Sequence, residues 1–471
     1  MFNYNYVLPY TNHSDLEPLI ISSAEDFHLI TKSGQRILDA QCGNINCNLG
    51  YSQHSISNAI YNASMELPFS RHNNGMLAEI GVTYTNRLVE YFPNHKKFFF
   101  GSSGSDGIET ALRLSYMTRL KQKSEKTKIV TFKGSYHGST WLTGSISDLG
   151  GLGQHLPDWP ENIKLSSPFG NDGQTTLNEL AQLDVSKVSS IVIEPFTYLS
   201  GVFECHYDFW DELNYFCIAN DIHLILDESA SSFFKTGSAF HYHSLPIEPT
   251  FIVLSKSITA GYVPLSAVAI HNKIWDILES EWIVHGWTNS GSVIGLAAAN
   301  EALNLFEQNN YNNQSSVEEF LDWLVSEHDI TSTRQVGNFF AFDMKSRKWR
   351  RDVGVRFASV ALKHDLQLTT FKYDAIARGL IPLNAGKEYF DELKETDDFL
   401  EEFDSLEDLK SQILKPKDHW GTIYSKLGKY LDNTELAGNI YNELRTKYAD
   451  FSMQAKADED YEAIKIGRAH V

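Results

Sequence analysis

Five short apolar runs constrain this chain more than any other feature: residues 98–100, 129–132, 191–193, 224–226 and 251–254. Each stops at glycine, lysine, a carboxylate or serine. Helical patterns fill the intervals, so the span from about 95 to 305 reads as an α/β sheet core. Near-continuous apolar runs suit parallel strands, because helices cover both faces of such a sheet. Folds of this kind bind ligands at the carboxyl ends of their strands. The residues after each run are therefore the ones to search for chemistry.

From about 306 to 410 helix and strand pieces alternate, with strand candidates at 335–342 and 367–371. This predicts a second, smaller α+β domain. The expected division is an N-terminal segment, 1–45, packing with the small domain, a large ligand-binding domain, 46–305, the small domain, 306–410, and a helical extension, 411–465. Residues 466–471 read like a translated sequencing adapter and are set aside.

No apolar run nears the ~18–20 residues that cross a bilayer. No basic-then-apolar leader opens the chain. Cys42, Cys47, Cys205 and Cys217 make no Cys-x-x-Cys pair, so neither a metal knuckle nor a disulfide framework is expected. Together these features favour the cytoplasm. The net charge of −20 would repel nucleic acid and anionic membranes, so neither is expected as a partner. A helix N-terminus can still hold an anionic cofactor against that field.

Gly101-Ser102-Ser103-Gly104-Ser105-Asp106-Gly107 follows the first run and leads into a helical stripe at Ile108, Ala111 and Leu112. A Gly/Ser turn entering a helix offers free N–H groups and hydroxyls to a phosphate. The glycine spacing fits neither a dinucleotide fingerprint nor a P-loop, and alone the segment is equally an ordinary loop. Ser135-Tyr136-His137-Gly138 follows the second run, where an aromatic can stack on a flat ring. A surface turn with an incidental tyrosine is the plainer alternative there. Glu194-Pro195 ends the third run. Asp227 ends the fourth, and a buried carboxylate needs a partner such as a protonated pyridine nitrogen; a helix N-cap is the competing role. Lys256 follows the fifth. Burial makes an amine nucleophilic toward a carbonyl, although a strand-end lysine can also reach back to water.

The combination is more specific than its members. An anion anchor, a stacking ring, a carboxylate and an imine-forming lysine, each after its own strand, are the requirements of pyridoxal 5'-phosphate.

These segments resemble the class III aminotransferases, which have the fold type I α/β architecture. Ser103-Gly104-Ser105-Asp106-Gly107 corresponds to the family's Ser-Gly-Ser/Thr-Glu-Ala, and Tyr136-His137-Gly138 and Glu194-Pro195 to two further motifs. Asp227-Glu228-Ser229-Ala230 with Thr236-Gly237 is similar to the pyridine-binding signature. Ser255-Lys256, then Gly261-Tyr262-Val263-Pro264-Leu265-Ser266-Ala267, resembles the lysine segment. His285-Gly286-Trp287-Thr288 and the Ala297–Asn300 run complete the set, which spans about residues 25–385. Ala230 and that last run look most like diaminopelargonic acid aminotransferases and other ω-aminotransferases.

The resemblance implies Lys256 and Asp227 as catalytic residues. It implies cofactor contacts from Ser103, Gly104, Ser105, Tyr136, His137, Glu194, Ala230 and Thr288, the last reaching the phosphate of the neighbouring subunit in a homodimer. Arg378 lies where the family often binds a substrate carboxylate through a bidentate guanidinium. The implied reaction is ping-pong amino transfer from an amine or ω-amino acid to a keto acid or aldehyde. An aminomutase, a racemase or a non-catalytic binding protein on the same fold are the alternatives. Three departures stand out. Ser232-Phe233-Phe234-Lys235-Thr236-Gly237 replaces Gly-Phe-Gly-Arg-Thr-Gly, which predicts a different turn backbone. Gly291-Ser292-Val293 replaces Gly-Asn-Pro. Asn44-Ile45 stands where the diaminopelargonate enzymes carry two tryptophans.

Overall fold

The computed structural model describes residues 5–400 apart from 11–12, 14–17, 73–74, 150–155, 157–158, 310, 312, 345–352, 371–375 and 399. The expected extension at 411–465 and the adapter-like end lie outside the described residues.

Seven strands form the central sheet, in the order Lys97–Gly101, Ser266–Ile270, Phe251–Leu254, His223–Asp227, Val188–Ile193, Lys128–Phe132, Asn162–Leu165. All run parallel except Ser266–Ile270, which is antiparallel to both neighbours. Val188–Ile193, His223–Asp227 and Phe251–Leu254 are buried at every residue, which explains their unbroken apolar character. The five runs read from sequence all fall on these strands. Two strands escape that reading. Asn162–Leu165 is a half-exposed edge strand carrying Asn and Lys, and Ser266–Ile270 is built from small residues inside the lysine segment.

Because the strands are parallel, their carboxyl ends share one edge. Four neighbouring strands bring Lys256, Asp227, Glu194 and the Tyr136–His137 turn to that edge side by side. The phosphate-type loop arrives from Lys97–Gly101, beyond the antiparallel strand.

A three-stranded antiparallel sheet joins Ile330–Val336, Phe339–Met344 and Ile376–Leu380. The single strand expected at 335–342 is thus corrected to a hairpin, turned tightly at Gly337 and Asn338. At the candidate 367–371 the strand is Leu366–Gln367, which pairs in parallel with Arg36–Asp39 and so joins the N-terminal sheet of Ile21–Glu25, His28–Thr31 and Arg36–Asp39; residue 371 lies outside the described residues. Periodicity alone could not reveal either outcome, since both depend on a partner strand distant in sequence.

Candidate active site

The helix Gly104–Lys121 begins directly after the first strand, with Ser103 as N-cap. Ser103 Oγ accepts from the Asp106 N–H, and the Asp106 carboxylate accepts from the N–H groups of Ser102 and Ser103 at 2.9 Å each. This capping box fixes the loop and consumes three donors. The N–H groups of Gly104 and Ser105, the first two helical residues, have no acceptor within the helix and remain available to an anion. A Cβ on Gly104 would stand 2.7 Å from Ser229 Oγ, so only glycine allows that approach. Ser229 Oγ itself is buried with no protein partner. An orphaned hydroxyl against a helix N-terminus fits a phosphate oxygen, which would supply its missing bond.

Asp227 is buried at the end of its strand. Its Oδ2 accepts from His137 Nδ1 at 3.0 Å, and its Oδ1 accepts from the Ser229 N–H at 3.1 Å. Burial pushes this carboxyl up, but the His137 bond, the nearby Ser229 hydroxyl and the Lys256 charge overcome it and hold it below the ordinary value. Asp227 is therefore an ionised carboxylate inside the protein, ready to pair with a cation. Of the residues named from sequence, His137 has the clearest geometric task, which is to orient this carboxylate.

Glu194 accepts the Tyr136 N–H at 3.2 Å and so fixes the tyrosine turn. Burial raises its carboxyl to about 7, with His137 pulling down and the Asp227 charge pushing up. Tyr136 is half-buried, and its hydroxyl lies 3.3 Å from that of Tyr10. Ala230 is buried in a cluster with Cys42, Ile45, Tyr198 and Phe339, which joins the central-sheet edge to the small sheet.

Lys256 is half-buried on a 3₁₀ turn, Lys256–Thr259, and stands at φ 50°. A left-handed lysine costs about 1–2 kcal/mol and persists only where its surroundings enforce it. Burial lowers its pKa, with the charges of Asp227 and Glu194 acting against that shift. Such an amine titrates closer to neutrality than a surface lysine and is a better nucleophile there.

Two features of the neighbourhood carry no simple sequence signal. The first is a second left-handed stretch, Cys42–Ile45, with φ from 51° to 59° at four consecutive residues. Asp39 holds it, accepting from the N–H groups of Gln41 and Gly43 and from Tyr51 Oη at 2.9, 2.6 and 2.6 Å. It exposes Asn44 and buries Ile45. The second is the turn after Asp227. There Phe233 and Phe234 adopt φ 62° and 66°, in the left-handed region that glycine favours, and Phe234 does so where the family pattern has glycine. Phe233 is buried against Phe240, and Phe234 stacks on Phe306, so aromatic packing holds the strained turn.

Thr288 is exposed, in a loop tied to the phosphate-loop helix. His285 Nε2 and Thr110 Oγ1 are 2.8 Å apart, and Trp287 Nε1 donates to the same oxygen at 3.4 Å. The loop borders an open groove of about 1010 Å³ that is also lined by Phe69, His72, Leu77 and Val82. Arg378 is fully buried on Ile376–Leu380, with its backbone paired to Thr369. Burial pushes the Tyr198 phenol up, while the Thr369 bond and the Arg378 charge pull it back. That coupling places Arg378 near Tyr198, a member of the Ala230 cluster.

Residues 10–395 match the Aminotransferase class-III family. The chain belongs to that family. Its members use pyridoxal 5'-phosphate, and so does this aminotransferase. A diaminobutyrate–2-oxoglutarate transaminase of Halomonas elongata is 26% identical over 419 residues, covering 81% of this chain and 89% of that enzyme. An adenosylmethionine-8-amino-7-oxononanoate aminotransferase of Geobacter sulfurreducens is 26% identical over 392 residues, covering 75% and 85%. Among solved structures, an amine transaminase from an uncultivated Pseudomonas species aligns with a TM-score of 0.78 at 22% identity, covering 85% of this chain and 99% of that one. An (S)-enantioselective omega-transaminase from Thermomicrobium roseum gives 0.79 at 22% identity, covering 85% and 96%. At that identity the structural likeness speaks for the fold.

Proposed function

We propose that this aminotransferase moves an amino group from an amine or ω-amino acid to a keto acid or aldehyde, with Lys256 and Asp227 as its catalytic residues. The observation that carries the assignment is the ionised, His137-bonded Asp227 on the strand next to the left-handed Lys256. Bound pyridoxal phosphate supplies a cationic ring that withdraws electrons from the bond being broken. The N–H groups of Gly104 and Ser105, with the hydroxyls of Ser103, Ser105 and Ser229, would hold the phosphate. The Asp227 carboxylate would keep a proton on the ring nitrogen, with His137 holding that carboxylate oriented. Tyr136 and Ala230 would contact the ring, and Glu194 fixes the tyrosine turn. Lys256 Nζ takes the proton from the substrate carbon and returns it on the other side of the reaction. Arg378 is the candidate for a substrate carboxylate. A relative named for diaminobutyrate and 2-oxoglutarate supports an amine donor with a keto-acid acceptor.

The same reading makes the active unit a cytoplasmic homodimer, with Thr288 serving the neighbouring subunit's phosphate. In support, the groove beside Thr288 is bordered by exposed Phe69 and Leu77, with Trp282 86% exposed on the adjoining segment; such patches are covered in an assembly. Among the described residues no helix is long and apolar enough to cross a membrane. The residue ranges 46–305 and 306–410 are its large and small domains.

The test is a donor–acceptor screen on purified protein, with the cofactor spectrum followed at each addition. Amino transfer requires a spectral change on adding donor that reverses on adding acceptor, and Lys256→Ala must abolish it. Turnover of a donor with no acceptor present would replace this reading with a racemase or aminomutase.

A further inference from the structure

Lys235 stands where the family carries arginine, and it is fully buried. Its Nζ donates to Ser257 Oγ at 2.9 Å and to the Ile45 carbonyl at 3.3 Å. Ser257, the residue after Lys256, passes its own proton on to the carbonyl of Asn46 at 3.0 Å or of Ile45 at 3.2 Å. One buried amine thus ties together two left-handed segments: Cys42–Ile45, which packs in the Ala230 cluster, and the turn that presents Lys256.

The charge state of that amine follows from its surroundings. An ammonium has three N–H donors and a neutral amine has two. Two acceptors face Lys235, matching the neutral form. Among the described residues no carboxylate lies within ion-pair distance of it. The nearby Glu228 is engaged by Ser231 Oγ and by the N–H groups of His241 and Tyr242. An unpaired buried cation beside a second lysine is costly, and a lysine, unlike arginine, escapes by losing its proton. Burial and the proximity of Lys256 both push its pKa well down.

We propose that Lys235 is a positioning residue held as an uncharged amine, which clamps the Lys256 turn to the Cys42–Ile45 turn without placing a permanent charge beside Lys256. An arginine here would impose that charge. The proposal rests on Lys256 being the cofactor-bearing lysine.

The experiment compares wild type, K235M, K235R and S257A with pyridoxal 5'-phosphate bound. The pH midpoint of the cofactor's absorbance change reports the proton affinity at Lys256. K235M exchanges one uncharged group for another, so the midpoint stays within a few tenths of a unit. K235R adds a cation and lowers it by about one unit. The clamp is read from the rate at which cofactor-free protein develops the absorbance band when cofactor is added. K235M and S257A slow it by about tenfold, whereas a residue that only stabilises the fold would lower the melting temperature and leave the rate alone. A midpoint raised by a unit or more in K235M means that Lys235 is charged, and overturns the proposal, as does an unchanged rate in both clamp variants. If K235R does not fold, K235M and S257A decide. K256A separates the premise from the inference: an intact absorbance band in K256A removes the premise.

Discussion

Glu194→Gln isolates a buried carboxyl of the site that titrates near neutrality. Glu194 is buried, and its folded-state pKa is about 7 against an ordinary 4.5. The gap of about 2.5 units is worth roughly 3 kcal/mol at about 1.4 kcal/mol per unit. The sign follows from which state gives up its proton first. The unfolded chain ionises near pH 4.5 and the folded chain near pH 7. Stability is therefore full below pH 4.5 and is lost progressively as the pH rises to 7. Glutamine keeps an oxygen for the Tyr136 N–H and does not titrate, so it avoids this loss. It brings a buried amide donor, which costs about 1 kcal/mol at every pH. At pH 5 the two effects nearly cancel. At pH 9 the variant should be more stable than wild type by roughly 2 kcal/mol. Urea unfolding of both cofactor-free proteins at pH 5 and pH 9 measures this directly. The same substitution removes a negative charge that favours the ionised form of Lys256, so the cofactor's absorbance midpoint should fall. An offset between wild type and E194Q that is the same at both pH values would refute the reasoning, since the ionisation of Glu194 would then play no part.

Three further outcomes follow from the geometry. Asp227→Asn keeps the shape of the His137 contact but loses the charge, so the proton-transfer half-reaction should slow by about 10²–10³-fold in single-turnover kinetics; a loss under tenfold would remove Asp227 from its assigned role. Gly138→Ala forces a Cβ to within 2.4 Å of Ser105 Oγ at φ 129°, so the dissociation constant for pyridoxal phosphate should rise at least about tenfold by spectroscopic titration; unchanged affinity would show that the loop yields freely. His223 is buried, is 2.7 Å from Ser115 Oγ through Nδ1, and has its pKa lowered to about 3 by burial and by Arg119 and Lys126. Stability is therefore lost as the pH falls below 6.5, and His223→Gln should lose about 2 kcal/mol less than wild type between pH 7 and pH 5 in denaturant titrations; equal losses would place the acid sensitivity elsewhere.

The chain by itself determined the parallel core, because strands buried on both faces must be apolar throughout, and Val188–Ile193, His223–Asp227 and Phe251–Leu254 are. It also marked Ser103, Tyr136, Glu194, Asp227 and Lys256 as candidates, because a polar residue at the end of such a strand is conspicuous. What only the tertiary structure decided depends on contacts between distant segments. The hairpin at Gly337 and the pairing of Leu366–Gln367 with Arg36–Asp39 need partners that local periodicity does not see. Phe233 and Phe234 hold a left-handed turn without glycine because Phe240 and Phe306 pack against them. Lys235 looks in sequence like an arginine replaced by its nearest equivalent. Its enclosure between Ser257 and Ile45 makes it a buried amine at the back of the catalytic turn. Burial and hydrogen-bond partners set the charge of a side chain, and both are properties of the folded whole.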